Sequence, residues 1–218
     1  MRSKVWIWLL PLLLLSSCFE FIEEISFETE QSGVFEATIN CSESRVRLKN
    51  IIKLDTFMGY NLPSEYEVRT KMSEIAAAIA KVKGISDVQH HSDEQQFIFK
   101  LKFHFDSIKH LNQALNTIAA LESERHPLPY MSVYEVNDGV FKRLQIPHDS
   151  LLRSVKQSHI KLFEGATVTS IYRFKKYVEK VSNSKAIVSK SKTAVMLKQN
   201  ITDVATKPSI LANTISLK

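Results

Sequence analysis

A short run near the middle of the chain restricts the fold more than any other feature. Within Gln95–Phe105, large apolar side chains recur at every second position, and polar or charged ones stand between most of them. Because successive side chains of a strand point to opposite faces, this alternation predicts a half-buried strand with one wet face. The apolar set is Phe97, Phe99, Leu101, Phe103 and Phe105, and the wet set is Gln96, Lys100, Lys102 and His104.

Strand-like runs joined by turn residues predict β-hairpins at three places. The turns are Ser32-Gly33, Ser92-Asp93-Glu94 and Asn137-Asp138-Gly139, of which the last is the strongest turn sequence. After Ala166 the pattern is again that of strands, up to Leu217. The hairpins pair Phe19–Gln31 with Val34–Cys41, Ile85–His91 with Gln95–Phe105, and Tyr130–Val136 with Val140–Ile146.

Amphipathic helices are predicted between the hairpins. In the clearest, Ser64 through Lys83, apolar residues recur every three or four positions, Ser64 and Glu67 form a capping box, and Gly84 ends the helix. Hairpins separated by such helices predict an α+β fold, a mainly antiparallel sheet with amphipathic helices packed on one face. The other predicted helices are Ser42–Met58, closed by Gly59, a helix from Ile108 to Leu121, and Asp149–Leu162.

The N-terminal segment has the features of an export signal. A basic start, Met1–Lys4, precedes an uncharged apolar run, Val5–Leu15, which is too short to span a bilayer as a helix, since that takes about 20 residues. The run ends in Leu15, Ser16, Ser17 and Cys18, which resembles the bacterial lipobox. That resemblance implies that residues 1–17 are removed and that the Cys18 thiol carries a diacylglycerol. Ordinary signal-peptidase cleavage nearby and a buried structural Cys18 are the alternatives.

A lipid anchor at Cys18 predicts a location in the bacterial cell envelope. Acyl chains on Cys18 would hold the chain at the membrane, and residues 18–218 would form a single domain. No run of about 18 apolar residues follows the signal, so we expect no membrane-spanning helix. Phe19 stands where some inner-membrane lipoproteins carry Asp, which favours the outer membrane.

Motifs for catalysis, metals and cofactors are missing from the sequence. The 5 glycines are solitary, which excludes a phosphate-cradling loop, and no G-x-S-x-G or metal-ligand spacing of His is present. We expect Cys41 to be a small buried residue rather than a nucleophile, and the adjacent carboxylates Glu23-Glu24 and Asp93-Glu94 to be solvated. No metal, cofactor or enzymatic activity is therefore expected. A hydrolase that uses unrecognised residues is the remaining catalytic alternative.

Charge is divided unevenly along the chain. Residues 18–150 carry 14 Lys and Arg against 20 Asp and Glu, a net charge of −6, whereas residues 151–218 carry 13 against 3, a net charge of +10. Much of the excess forms a cationic set: Arg173, Lys175, Lys176, Lys180, Lys185, Lys190 and Lys192.

The cationic set has three interpretations. It forms a solvated strand face, or it neutralises the acidic part of the domain, or it contacts anionic lipid head groups, where each Lys contributes about 1 kcal/mol. An exported protein meets no cellular nucleic acid, so we expect no nucleic-acid partner.

Several segments together resemble the LppM-type lipoprotein domain. They are Gly84-Ile85-Ser86 before a strand, Phe97–Phe105 running into a helix, and a closing region with Tyr172-Arg173-Phe174, Val181-Ser182-Asn183 and Thr193-Ala194-Val195. The resemblance implies an α+β envelope lipoprotein domain with a lipid-binding role and no established catalysis. Our leading hypothesis is therefore a lipid-anchored, non-catalytic module that contacts anionic lipid through the cationic set. The alternative is a structural or assembly lipoprotein that binds another envelope protein.

Overall fold

The computed structural model describes residues 19–52, 56–57, 60–61, 63–122, 130–145 and 163–218. The lipobox residues Leu15, Ser16, Ser17 and Cys18 and the whole predicted helix Asp149–Leu162 lie outside these ranges. In chain order the elements are β1 (Glu20–Phe27), β2 (Gly33–Asn40), α1 (Arg45–Ile52), β3 (Thr56–Phe57), β4 (Tyr60–Asn61), α2 (Glu65–Ile79), β5 (Ile85–Asp93), β6 (Ile98–Phe105), α3 (Ile108–Glu122), β7 (Tyr134–Asn137), β8 (Val140–Arg143), β9 (Thr167–Arg173), β10 (Val178–Val181), β11 (Ile187–Val188), β12 (Ala194–Asn200), α4 (Ile201–Thr206) and β13 (Asn213–Leu217).

A seven-stranded sheet forms the base of the fold, in the order β11-β12-β9-β1-β2-β6-β5. Its neighbouring strands are antiparallel except β1 and β9, which run parallel with Glu20 beside Thr167. One face carries the alternating apolar residues that the sequence predicts. On that face Phe35 of β2 stacks on Phe103 of β6, with ring centroids 5.1 Å apart.

Two layers cover this apolar face. Helices α2 and α3 pack over the β5–β6 end, and a second sheet, in the order β10-β13-β8-β7, packs over β1 and β9. Phe141 of the small sheet lies 4.7 Å from Tyr172 of the large one, centroid to centroid. Asn112 of α3 joins the two covering layers, because its amide donates to the Tyr134 carbonyl at 2.8 Å and accepts from the Tyr134 amide at 3.0 Å.

Local sequence explains where several elements begin and end. The Ser64 hydroxyl accepts from the Glu67 amide at 3.2 Å, and the Glu67 carboxylate accepts from the Ser64 amide at 2.7 Å, which is the predicted capping box. Between β7 and β8, Asp138 and Gly139 both have positive φ, 47° and 73°, as a tight hairpin with the native strand twist requires. The α+β class, the three hairpins and helices α2 and α3 are thus confirmed.

The structure differs from the sequence interpretation in several elements. The turn of the second hairpin lies at residues 94–97 rather than at Ser92-Asp93-Glu94, because β5 continues to Asp93. Helix α1 ends at Ile52 instead of Met58, and Thr56–Phe57 pairs with Tyr60–Asn61 as a short hairpin, in keeping with the strand preference of Thr, Phe and Tyr. Strand β10 falls in the region after Ala166 that was predicted to form strands, although it was not identified separately. Helix α4 was not predicted, since a run of six residues carries little periodicity. The division into two sheets was not predicted either. Within the described ranges, no helix is long and apolar enough to cross a membrane.

Candidate functional site

An apolar cleft opens between the two sheets at the end where β1 finishes. Its floor is formed by the rings of Phe27, Phe141 and Phe174, which come from β1, from β8 and from the residue after β9. Phe27 stacks on Phe174 with centroids 5.2 Å apart, and Phe141 meets both edgewise at 5.4 and 5.7 Å. Three mutually packed rings make a rigid floor, because each ring holds the other two in place.

The cleft is small, and its inner surface is almost entirely apolar. Its volume is about 180 Å³. Val136 and Leu217 extend the apolar lining, while Thr29, Glu30, Lys175 and Lys176 form a polar rim. Sites that enclose drug-sized ligands have volumes of roughly 300–1,000 Å³, so this cleft can take only part of a larger ligand.

The rim segment from Lys175 to Tyr177 projects into solvent beside the cleft. Lys176 forms an ion pair with Glu30, both of them exposed, whereas Lys175 has no ion-pair partner among the described residues. Tyr177 follows with 59% of its surface exposed, and its backbone pairs with Lys218. Exposed pairs contribute little stability, so Lys176 is able to change partners at small cost.

The structure gathers only part of the predicted cationic set at the cleft. Lys175 and Lys176 lie on its rim, and the Lys192 carbonyl accepts from the Val178 amide at 2.7 Å, which places the exposed turn with Lys190 and Lys192 nearby. The exposed Arg173 pairs across strands with Glu24 at 2.6 Å.

Two lysines of the set lie elsewhere. Lys180 is exposed on β10 opposite Ser216, and Lys185 donates to Gln199 at 3.3 Å near the other end of β12. The seven residues therefore do not form one face.

A buried polar cluster lies between the two sheets, and it corrects one expectation. Glu23 was expected to be solvated but is only 5% exposed. Its Oε1 accepts from Arg143 Nε at 2.9 Å, from the Ser170 hydroxyl at 2.7 Å and from the Tyr172 hydroxyl at 2.8 Å. Arg143 belongs to the small sheet and the other three residues to the large sheet, so this cluster links the two layers.

The buried charges compensate each other. Burial opposes ionisation of Glu23, but the charge of Arg143 and the three hydrogen-bond donors outweigh it and lower the pKa of the Glu23 carboxyl. The pKa values of Tyr172 and Tyr134 are raised well above the ordinary value, first by burial and then by the Glu23 charge. A carboxylate with all these donors already bound has the properties of a structural group rather than a general base.

Two of the histidines, His104 and His110, pair with nearby carboxylates. His104 faces Glu28 at 3.0 Å, and His110 Nδ1 lies 2.5 Å from Asp106, whose pKa this contact lowers. Cys41 was expected to be buried but is only half-buried. This partial burial raises the pKa of the thiol to about 11, which is opposite to the shift that a cysteine nucleophile needs. No group of three potential metal ligands occurs among the described residues.

Sequence reasoning missed the cleft and the buried cluster for different reasons. The cleft joins the ends of β1, β8, β9 and β13, which are distant in the chain, and no local pattern reveals such a junction. Glu23, in contrast, stands in the alternation Phe21, Glu23, Ile25, Phe27, which already places it on the inward face. The alternation of the strand therefore predicts the burial of Glu23 correctly, whereas its charge predicts exposure.

Comparison with known proteins gives no family assignment. Neither a protein-family model nor a curated protein matches the chain. Among solved structures, the chain is similar to the NMR structure of the folded domain of the Mycobacterium tuberculosis LppM protein, with 11% identity over 100% of this chain and 94% of that chain, and a TM-score of 0.41. At this level of similarity, the function has to follow from the residues of the chain itself.

Proposed function

We propose that this protein is a non-catalytic envelope lipoprotein whose cleft binds anionic lipid. The observation that carries the proposal is the composition of the cleft: a floor of three phenylalanine rings and a rim that includes Lys175 and Lys176. An acyl chain needs an apolar surface, and an anionic head group needs cations at its edge. Both are present within one site.

The size of the cleft indicates how lipid would be held. A cavity of about 180 Å³ accommodates the end of one acyl chain and leaves the rest of the lipid outside. Tyr177, an exposed aromatic residue beside the lysines, has the amphipathic character that favours the head-group region of a bilayer. The site therefore suits a lipid that remains partly in its membrane, with Lys175, Lys176 and Tyr177 at the level of the head groups.

Vesicle co-sedimentation tests this proposal. Residues 19–218 contain every described strand and helix, and we expect this chain to pellet with vesicles that contain phosphatidylglycerol and not with phosphatidylcholine vesicles. Since each Lys at an anionic surface contributes about 1 kcal/mol, Lys175→Gln/Lys176→Gln should weaken binding by about 25-fold. Raising the salt concentration should also weaken binding, because salt screens the attraction between the lysines and the lipid head groups.

A matched variant controls for net charge. Lys185→Gln/Lys207→Gln removes the same two charges at exposed positions far from the cleft and should leave binding unchanged. Equal losses in both variants would mean that general charge, not the cleft, attracts the lipid. No binding of the unsubstituted chain to either vesicle would contradict the proposal and direct attention to a protein partner in the envelope.

A soluble lipid separates the cleft from simple surface attraction. Dihexanoyl-phosphatidylglycerol below its micellar concentration carries both an acyl end and a phosphate, whereas glycerol phosphate carries only the phosphate. We expect the first to bind and the second to bind far more weakly in calorimetry. Equal binding of the two would show that the phenylalanine floor takes no part.

The anchor at Cys18 is the second part of the proposal. We expect the mature chain to begin at Cys18 with acyl groups attached, and we propose the outer membrane as its location. Intact mass of the protein extracted from membranes, together with membrane fractionation, tests both statements. A mature chain that begins at Phe19 without acyl mass would contradict the anchor.

A further inference from the structure

The two ends of β1 are placed differently with respect to the lipid anchor. Only Phe19 separates Cys18 from β1, and Phe19 is tied to the fold, because its carbonyl accepts from the Thr167 amide at 2.9 Å. We call the end of the large sheet near Glu20 the anchor end and the end near Phe27 the cleft end. With a rise of about 3.3 Å per residue, the eight residues of β1 separate these ends by about 23 Å.

Strand β9 carries the cationic rim away from the anchor. It runs parallel to β1, begins beside Glu20 and leads directly into Phe174, Lys175 and Lys176. At physiological ionic strength, charge attraction is screened over about 8 Å. If β1 stands upright on the bilayer that holds Cys18, the rim lysines lie far beyond the reach of its head-group charge.

Helix α1 lies at the anchor end, and its side chains are exposed or half-buried. This helix follows the end of β2 that pairs with Glu20, and none of its residues is buried. Val46 and Ile52 are 68% and 40% exposed, and Arg47 and Lys49 are exposed with them. A short helix that combines exposed aliphatic and basic side chains is suited to the bilayer interface. Beside acyl chains on Cys18, these side chains of α1 would form a second contact with the same bilayer.

The outward face of the large sheet offers no comparable basic surface. Most of its charges are matched in pairs across the strands: Glu20 with Lys198 at 2.9 Å, Glu24 with Arg173 at 2.6 Å, and Glu36 with Lys100 at 3.8 Å. Lys102 of β6 is one further exposed cation on this face. A face whose charges are mostly paired gains little from anionic lipid, so electrostatic attraction of this face to the bilayer is weak.

We propose that the domain stands on the bilayer that holds Cys18 and presents its cleft to the anionic lipid of a second, apposed bilayer. The inference rests on the proposed function of the cleft and adds the direction in which the cleft faces. The protein then bridges two membrane surfaces: acyl chains and α1 hold one, and Lys175, Lys176 and the phenylalanine floor engage the other.

Coupling the chain to vesicles through its own anchor residue tests this geometry. Residues 18–218 with Cys41→Ser have Cys18 as their single thiol, which can be joined to maleimide lipid in phosphatidylcholine vesicles. We expect these vesicles to capture a second, fluorescent population that contains phosphatidylglycerol. Lys175→Gln/Lys176→Gln should reduce capture about 25-fold, and Lys185→Gln/Lys207→Gln should not reduce it.

The outcomes separate the inference from the function on which it rests. Phosphatidylglycerol placed also in the coupled vesicles should leave capture unchanged, whereas loss of capture would mean that the cleft reaches its own bilayer and would overturn the inference. If the free chain binds anionic vesicles but the coupled chain captures none, the orientation is wrong and the proposed function stands. If the free chain binds no vesicles, both are wrong.

Discussion

Partial burial lowers the expected reactivity of the Cys41 thiol toward alkylating reagents. Its thiol pKa of about 11 leaves roughly a hundredfold less thiolate at neutral pH than an ordinary cysteine has. The higher intrinsic nucleophilicity of a high-pKa thiolate restores about tenfold of that loss. In the Cys18→Ala chain we therefore expect iodoacetamide to modify Cys41 about tenfold more slowly than free cysteine at pH 7.5, followed by mass spectrometry. Unfolding in urea should remove the difference, and a folded chain that reacts as fast as free cysteine would contradict this prediction.

Glu23 illustrates what single residues reveal in a sequence. Its position in the alternation of β1 indicates an inward side chain, yet a carboxylate on its own is expected to be solvated. The partners that make its burial possible, Arg143, Ser170 and Tyr172, lie more than a hundred residues further along the chain. Sequence periodicity can therefore place a charge in the core, but the identity of its partner depends on tertiary packing.

At the scale of elements, two glycines with the same backbone conformation have different surroundings. Gly84 and Gly139 have φ values of 76° and 73°, which L residues adopt at a cost of about 1–2 kcal/mol. A Cβ on Gly139 would lie no closer than 3.4 Å to any atom, but a Cβ on Gly84 would lie 2.1 Å from His110 Nδ1 and 2.3 Å from Asp106 Oδ1. A side chain at Gly84 would therefore collide with the residues at the start of α3, whereas a side chain at Gly139 would have room.

Alanine at the two glycines should distinguish these surroundings. Gly139→Ala should lower the free energy of unfolding by about 1–2 kcal/mol through backbone strain alone. Gly84→Ala should cost about 1 kcal/mol more, because Asp106 and His110 must move apart and lose their hydrogen bond. Urea denaturation of the two variants measures the difference, and equal costs would indicate that the two side chains move without penalty.

Elements were predictable where their information is local. The capping box, the Asn137-Asp138-Gly139 turn and the alternation of β6 each specify a structure within a few residues, and each is confirmed. The parallel pairing of β1 with β9 and the separate small sheet depend on residues that are distant in the chain. The cleft belongs to this second group, because its rim and floor meet only after the two sheets pack.

At the scale of the whole molecule, the two sheets are joined by the buried ion pair of Glu23 and Arg143, in which each charge compensates the other. Replacing Arg143 with Met leaves a buried carboxylate without its cation, which typically costs about 3–5 kcal/mol. Adding Glu23→Gln removes the uncompensated charge and keeps an oxygen that can accept from Ser170 and Tyr172. We therefore expect the double variant to be more stable than Arg143→Met alone in urea denaturation. A double variant at least as unstable as the single one would mean that the charge of Glu23 is not what destabilises it.

The pH dependence of the same variants gives a sharper test, because its sign should reverse. In the unsubstituted protein the folded pKa of Glu23 is lowered, so its contribution to stability is present above the unfolded pKa of about 4.5 and is lost as pH falls through the folded value. In Arg143→Met burial is no longer opposed by the arginine, so the folded pKa should rise above 4.5. A raised carboxyl pKa destabilises the protein increasingly as pH rises above the unfolded value, until the folded value is passed.

Relative to Arg143→Met/Glu23→Gln, which has no carboxyl at this position, Arg143→Met should therefore lose stability between pH 4.5 and 7 in urea titrations. The unsubstituted chain, compared in the same way with Glu23→Gln, should gain stability as pH rises from acid toward 4.5. Parallel pH profiles for Arg143→Met and its double variant would mean that Glu23 finds another cation or water when Arg143 is lost, and that the two sheets separate more easily than the closed packing of their shared core implies.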